Sequence, residues 1–214
     1  MSSISVIVPQ SLLTLTDQRN QRLRAIAAGY VRAHEKGVGK IKPEEISGFD
    51  AMTTQAKVNA VAAKVNEGWK PKELDIHELQ NLAVDITAAP GVNDWLTAAL
   101  AVVGIAYSCF QAVNPTVPAN KIHVYWKVML GLAAPYPVNW LTFRTQGPAG
   151  NIVGLFDLSM LFAEDIPLGY LSEPVVYDPQ TPYAVQANAR LATGAAYNLI
   201  LGAYVVEPAG TTIR

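Results

Sequence analysis

The stretch Ile122-His123-Val124-Tyr125-Trp126-Lys127-Val128-Met129-Leu130 decides the fold. Ile122, Val124, Trp126, Val128 and Leu130 alternate with His123, Tyr125, Lys127 and Met129. Successive side chains of a strand point to opposite faces, so a period of two predicts a strand. Similar runs follow downstream. Trp140-Leu141-Thr142-Phe143-Arg144 is one, and Gln146-Gly147-Pro148-Ala149-Gly150-Asn151 turns the chain after it. Residues 152–162 form a long apolar run, read as one bent strand or two. Pro174-Val175-Val176-Tyr177 is short, and Tyr183, Val185, Ala187, Ala189 and Leu191 alternate again with Gln186, Asn188 and Arg190. Thr193-Gly194 turns into a last run over 197–207. Prolines at 135, 137, 167, 174, 179, 182 and 208 punctuate the series. Short strands at intervals of roughly ten residues predict an antiparallel β-sandwich, jelly-roll-like, or a barrel. No helix-sized pattern separates them, which argues against a parallel α/β sheet.

Upstream, the period changes to that of helices. Over 17–35, Leu23, Ile26, Ala27, Tyr30, Val31 and His34 recur at steps of three and four; Thr16 or Asp17 is the expected cap, and Gly37 and Gly39 the stop. A second helix is expected over 51–67, with Asp50 as cap, Gly68 as stop, and Val58, Val61, Ala62 and Val65 as its stripe. A third is expected after Asp75, where Glu78 fits a capping box and Leu79, Leu82, Ala83 and Ile86 follow, until Pro90-Gly91. Residues 95–113 carry no charge, and Asp94 precedes them. Three readings compete there: a buried core or interface helix, a membrane-inserting helix of near-spanning length, and a partial strand through Val102-Val103-Gly104-Ile105. The expected fold class is therefore α+β. A mainly helical region spans 1–92, and an apolar helix plus an antiparallel β-sandwich spans 93–214.

Composition narrows the function. The chain has 214 residues, 50% hydrophobic and 15% charged, with a formal net charge of −1. Wholesale disorder needs low hydrophobicity and high net charge, so it is excluded. A near-neutral chain has no global field to draw in nucleic acid or an anionic membrane. Residues 1–90 hold 21 of the 33 charges, and 91–214 hold 12. Soluble surfaces normally carry many charges of both signs. The charge-poor half is therefore expected to cover surface with a neighbouring subunit, or with a membrane. The start, Met1 to Pro9, has neither the basic region nor the apolar stretch of a signal peptide. The expectation is synthesis in the cytoplasm. The lone Cys109 can form no intrachain disulfide and reads as a small buried hydrophobe.

Catalytic motifs fail one by one. His77-Glu78-Leu79-Gln80-Asn81 lacks the second histidine of a zinc-protease helix. Gly37-Val38-Gly39-Lys40 lacks the glycine and hydroxyl residue of a phosphate loop. No Gly-x-Ser-x-Gly elbow is present. Asp157, Glu164 and Asp165 are the carboxylates available for acid–base work, and their simpler reading is a hydrogen-bonded strand residue and a solvated turn pair. Arg19, Arg22, Arg24 and Arg32, with Lys36, Lys40 and Lys42, give the first helix a basic side, which Asp17, Glu35, Glu44 and Glu45 dilute. No catalytic, cofactor-binding or metal-ligating residue is assigned, and no cofactor. The aromatics of the second half can fill a core, line an interface or stack on sugars. Trp95, Tyr125, Trp126, Trp140, Tyr177 and Tyr183 are the interface candidates.

The segments Trp140-Leu141-Thr142-Phe143-Arg144, Pro174-Val175-Val176-Tyr177-Asp178-Pro179 and Val205-Val206-Glu207-Pro208-Ala209-Gly210 carry a resemblance. Together they make residues 120–214 similar to the jelly-roll or sandwich domains of tailed-phage capsid, decoration and cement proteins. The resemblance implies a non-enzymatic structural protein of a phage particle. Its implied partners are itself, as a trimer or larger homo-oligomer, and other virion proteins, with no sequence-specific nucleic acid and no membrane. Its place would be the virion, after synthesis in the host cytoplasm. The alternative is a carbohydrate-binding or adhesin module that uses the aromatics of the β-region.

Overall fold

The computed structural model describes residues 5–80, 85–86, 99–110, 115–131, 137–164, 167–193 and 197–211. Among these residues, nine strands and two α-helices follow the order β1 (Ser5–Pro9), α1 (Leu15–Lys36), α2 (Thr54–Asn66), β2 (Leu74–Glu78), β3 (Ala106–Ser108), β4 (Ile122–Leu130), β5 (Val138–Thr145), β6 (Ile152–Asp157), β7 (Leu168–Tyr177), β8 (Tyr183–Ala189) and β9 (Leu199–Pro208). The strands form one sheet in the order β2-β9-β4-β7-β1-β6-β5-β8-β3. Every pairing is antiparallel except β1 with β6.

β1 is the hinge of this sheet. Ile7, Val8 and Pro9 pair with β7, while Ser5 and Val6 pair with β6. One short strand thus serves both halves, and the sheet curls about it. The inner faces of the two halves share one core. Tyr125, Leu171, Tyr177, Leu201 and Val205 come from one half, and Leu141, Phe143, Phe156, Tyr183 and Val185 from the other. Burying such side chains contributes about 1.5–3 kcal/mol each, so this core is the fold's main stabilising term.

The helices cover the outer face of one half. Ala25, Ala27, Tyr30 and Val31 of α1 and Val61 of α2 pack with Leu74, Ile122, Val124, Trp126, Tyr170, Tyr204 and Val206. Gly29 allows the close approach, because a Cβ there would lie 2.8 Å from Val206 Cγ2. α1 begins in a capping box: the Thr14 hydroxyl accepts from Asp17 N, and Asp17 accepts from Thr14 N. It ends at Gly37, whose φ of 72° is the left-handed cap. β4 is therefore buried on both faces. Its parity switches at a bulge between Tyr125 and Lys127, seen against both β7 and β9. Ile122 and Val124 before the bulge and Trp126 at it face the helices; after it Val128 and Leu130 face the inner core. The unbroken alternation expected from the sequence is thereby corrected: the five apolar residues do not share a face.

Three further expectations are corrected. The helix expected after Asp75 is strand β2, paired antiparallel with β9 from Leu74↔Pro208 to Glu78↔Tyr204. Leu74 and Ile76 also fit a period of two, and an open edge on the apolar strand β9 outweighs the capping pattern. Leu82, Ala83, Pro90 and Gly91 lie outside the described residues. The apolar helix over 95–113 does not form through 99–110. That stretch instead holds a turn at Gly104, with φ of 81°, and strand β3. Asp94, Trp95 and Gln111 to Val113 lie outside the described residues. The run 152–162 divides into β6 and a 3-10 turn, Ser159–Ala163, and Pro174 sits inside the long strand β7 rather than opening a short one. Smaller shifts occur at the caps. Thr14 and Thr53 cap α1 and α2, and Asp50 instead pairs with His34 Nε2 at 2.8 Å. The region 1–92 contributes strands β1 and β2 to the sheet as well as both α-helices.

Candidate interaction surface

Four of the six interface candidates are used by the chain's own interior. Tyr125, Tyr177 and Tyr183 lie in the inner core, and Trp126 lies beneath α1. Tyr177 and Tyr183 stack with ring centroids 4.5 Å apart. Trp126 stacks on Tyr204 at 5.4 Å, and Arg22 Nε donates to the Tyr204 hydroxyl at 2.9 Å. A side chain covered by its own chain has no area left for a second copy, so these four are corrected from interface to core. Trp140 is half-buried, on the outer face of β5. Trp95 lies outside the described residues.

A buried polar chain runs through the core behind these rings. The Tyr125 hydroxyl donates to that of Tyr183 at 3.0 Å, and Tyr183 contacts His123 Nδ1 at 3.3 Å. His123 Nε2 lies 2.8 Å from the Asp85 carbonyl oxygen. That carbonyl can only accept, so Nε2 carries the proton and Nδ1 accepts from Tyr183. Burial pushes His123 down to about 3, so it is neutral at ordinary pH.

Beside it lies an ionic clasp. Lys121 Nζ sits 3.2 Å from Asp85 Oδ1 and 2.8 Å from Glu207 Oε2. His77 spans the same two carboxylates, at 3.1 Å from Asp85 and 3.4 Å from Glu207. Asp85, Lys121 and Glu207 are all buried. Burial alone would raise the Asp85 pKa. Hydrogen bonds from His77, the Gln80 N–H and Lys121 outweigh it and hold the carboxyl well below the usual range. Lys121 occupies the position between the acids where a cation would sit. The clasp ties β2, β9, the residue that precedes β4 and the turn at Asp85 together. It was not legible in the sequence, because its members are up to 130 positions apart, from His77 to Glu207.

The two ends of the sheet differ. β2 is fastened by this clasp and by Asp75, which accepts from Gly210 N at 3.0 Å. β3 is three residues long and, among the described residues, pairs with β8 alone, with Ala106 and Ser108 exposed. Val102, Val103 and Ile105 lead into it, exposed by 50%, 56% and 48%. An open strand edge with apolar residues beside it is a template for pairing or packing with another chain.

The other sequence candidates are placed as follows. Asp157 ends β6, and its Oδ1 accepts from Ser159 N at 2.8 Å. Glu164 follows the 3-10 turn, half-buried, and Asp165 lies outside the described residues. Cys109 is fully buried, and burial pushes its thiol up, which makes it a poor nucleophile. The basic side of α1 is partly spent within the chain: Arg32 Nε and Nη2 grip Asp178 at 2.6 and 2.8 Å, and Lys36 adds a contact at 2.9 Å. Among the described residues no group of three or more His, Cys, Asp or Glu is placed to hold a metal ion, and no helix is long and apolar enough to cross a membrane.

No protein-family model and no curated protein matches the chain. Among solved structures, one described as infectious bursal disease virus Gx strain is similar at 10% identity and a TM-score of 0.35. The match covers 66% of this chain, which spans about a third of that one, 35%. At that score the fold rests on the strand pairing given above.

Proposed function

We propose that the protein is a non-enzymatic structural component of a virus particle of the phage type, built by self-assembly and by contact with other virion proteins. The observation that carries this reading is the β3 edge, unpaired among the described residues, with Val102, Val103 and Ile105 exposed beside it. The charge-poor second half supports it, because 12 charges over 124 residues leave little to keep copies apart. The resemblance of residues 120–214 to phage sandwich domains points the same way. On this reading the two halves of the curled sheet act as the layers of a jelly-roll-like sandwich, and the chain joins the virion after synthesis in the host cytoplasm. Copies bury the β3 edge and its apolar approach in a closed, symmetric contact, giving a trimer or a larger ring. Catalysis, a cofactor and a membrane play no part.

Negative-stain electron microscopy of the concentrated, detergent-free protein tests this. Regular closed assemblies of one size are expected. A field of dispersed single chains at every concentration would contradict the reading.

A further inference from the structure

We infer that the outer face of the sheet carries a binding site for an uncharged hexopyranose, the exposed sugar of a glycan. The site is a groove of about 470 Å³ lined by Asn139, Trp140, Asp157, Ser159, Phe162 and Arg190. Three parts of the fold converge on it: β5, the end of β6 with its 3-10 turn, and the residue that follows β8. Trp140 pairs directly with Asp157, which puts both side chains on one face of the sheet. That face points outward, since Leu141 and Phe143 on the alternate side fill the core.

The chemistry suits a sugar ring better than other small ligands. A pyranose presents one face of C–H bonds and a rim of hydroxyls. An indole face covers the former, and planar groups with paired donors or acceptors bind the latter. Trp140 supplies the aromatic face, with Phe162 beside it in the lining. Arg190 is placed by its backbone and its side chain: its main-chain N–H donates to the Pro137 carbonyl at 2.6 Å, and its guanidinium lies 5.2 Å from the centre of the Phe162 ring. Asp157 uses Oδ1 for Ser159 N, and among the described residues Oδ2 is left for a ligand hydroxyl. Asn139 also lines the groove, and its buried Oδ1 has no donor among the described residues. One acid and one base balance, and no ion pair joins them among the described residues, which favours a neutral ligand over an anion. This site does not depend on the particle reading: it stands or falls on its own.

Saturation-transfer NMR on the full chain tests it, with methyl β-D-galactopyranoside, methyl α-D-mannopyranoside and N-acetylglucosamine as probes. At least one should bind saturably and quench Trp fluorescence. Arg190→Ala and Asp157→Asn each remove a charge-assisted hydrogen bond and should weaken binding about tenfold. The Asn variant still accepts from Ser159 N, and Arg190 is exposed, so both should melt as the parent does. Failure of all three sugars to bind would overturn the inference, as would binding unchanged in both variants.

Discussion

The sheet has two ends, and they are finished differently. At β2 the last strand is backed by Leu74 in the helix-covered core, and its His77 reaches into the clasp of Asp85, Lys121 and Glu207. At β3 the last strand has three residues, and its approach exposes Val102, Val103 and Ile105. Natural sheets blunt their edges with charge, proline, bulges or a covering element. The β2 end has buried charge and neighbouring helices; residues 102–108 have no charge at all. The difference teaches that the chain fastens one end with its own buried charges, while among the described residues nothing comparable fastens the other, the end that the proposed function assigns to a second copy.

The largest expected effect comes from breaking the finished end. Lys121→Met leaves Asp85 and Glu207 buried without their ammonium. Removing one partner of a buried ionic group costs about 3–5 kcal/mol, so urea unfolding should shift by that amount. A shift below about 1 kcal/mol would show that water already fills the clasp.

Acid should loosen the same end. Asp85 is held below its ordinary pKa, so its stabilisation is present above the unfolded value near ~4 and is lost as pH falls through the folded value. His123 is depressed to about 3, while an unfolded histidine titrates near ~6.5. Between those values the unfolded chain binds the extra proton, so stability falls as pH drops through that window. The melting temperature should therefore decline from pH 7 to pH 4, and His123→Gln should flatten the slope. An equal slope in the variant would remove His123 from the account.

The smallest effect sharpens the contrast from the other side. Asp75→Ala removes the acceptor for Gly210 N and the exposed contact with Lys70 at 3.5 Å. A loss of about 0.5–1 kcal/mol in urea unfolding is expected, because exposed pairs contribute little. A loss as large as that of Lys121→Met would place the fastening of β2 on its surface rather than in the buried clasp.

Much of the fold was legible where one physical signal acted alone. The steps of three and four from Leu23 to His34 marked α1, and the alternation in 122–130 marked β4 within its observed bounds, Ile122–Leu130. Legibility failed where signals overlapped. Asp75 to Glu78 satisfies both a cap and a strand, and only the open edge of β9 decides between them. Ser5 to Pro9 is too short to be read locally, yet it hinges the sheet. The bulge at Trp126 leaves no mark, because Ile122, Val124, Trp126, Val128 and Leu130 keep an apolar residue at every second position across it. Of the candidate surface, only the charge-poor composition could be foreseen. The burial of Tyr125, Tyr177 and Tyr183 depends on pairings across the chain that sequence spacing does not encode.

The most direct measurement of the unfinished edge is mass in solution, by light scattering at two concentrations without detergent. The unaltered chain and the double variant Val103→Lys, Ile105→Lys are compared. Both positions are about half exposed, so the variant should keep its fold and its melting temperature. The account predicts a discrete oligomer that persists on dilution for the unaltered chain, and the 23.0 kDa monomer for the variant. A 23.0 kDa monomer for the unaltered chain at both concentrations, or an oligomer that survives both lysines, would contradict it.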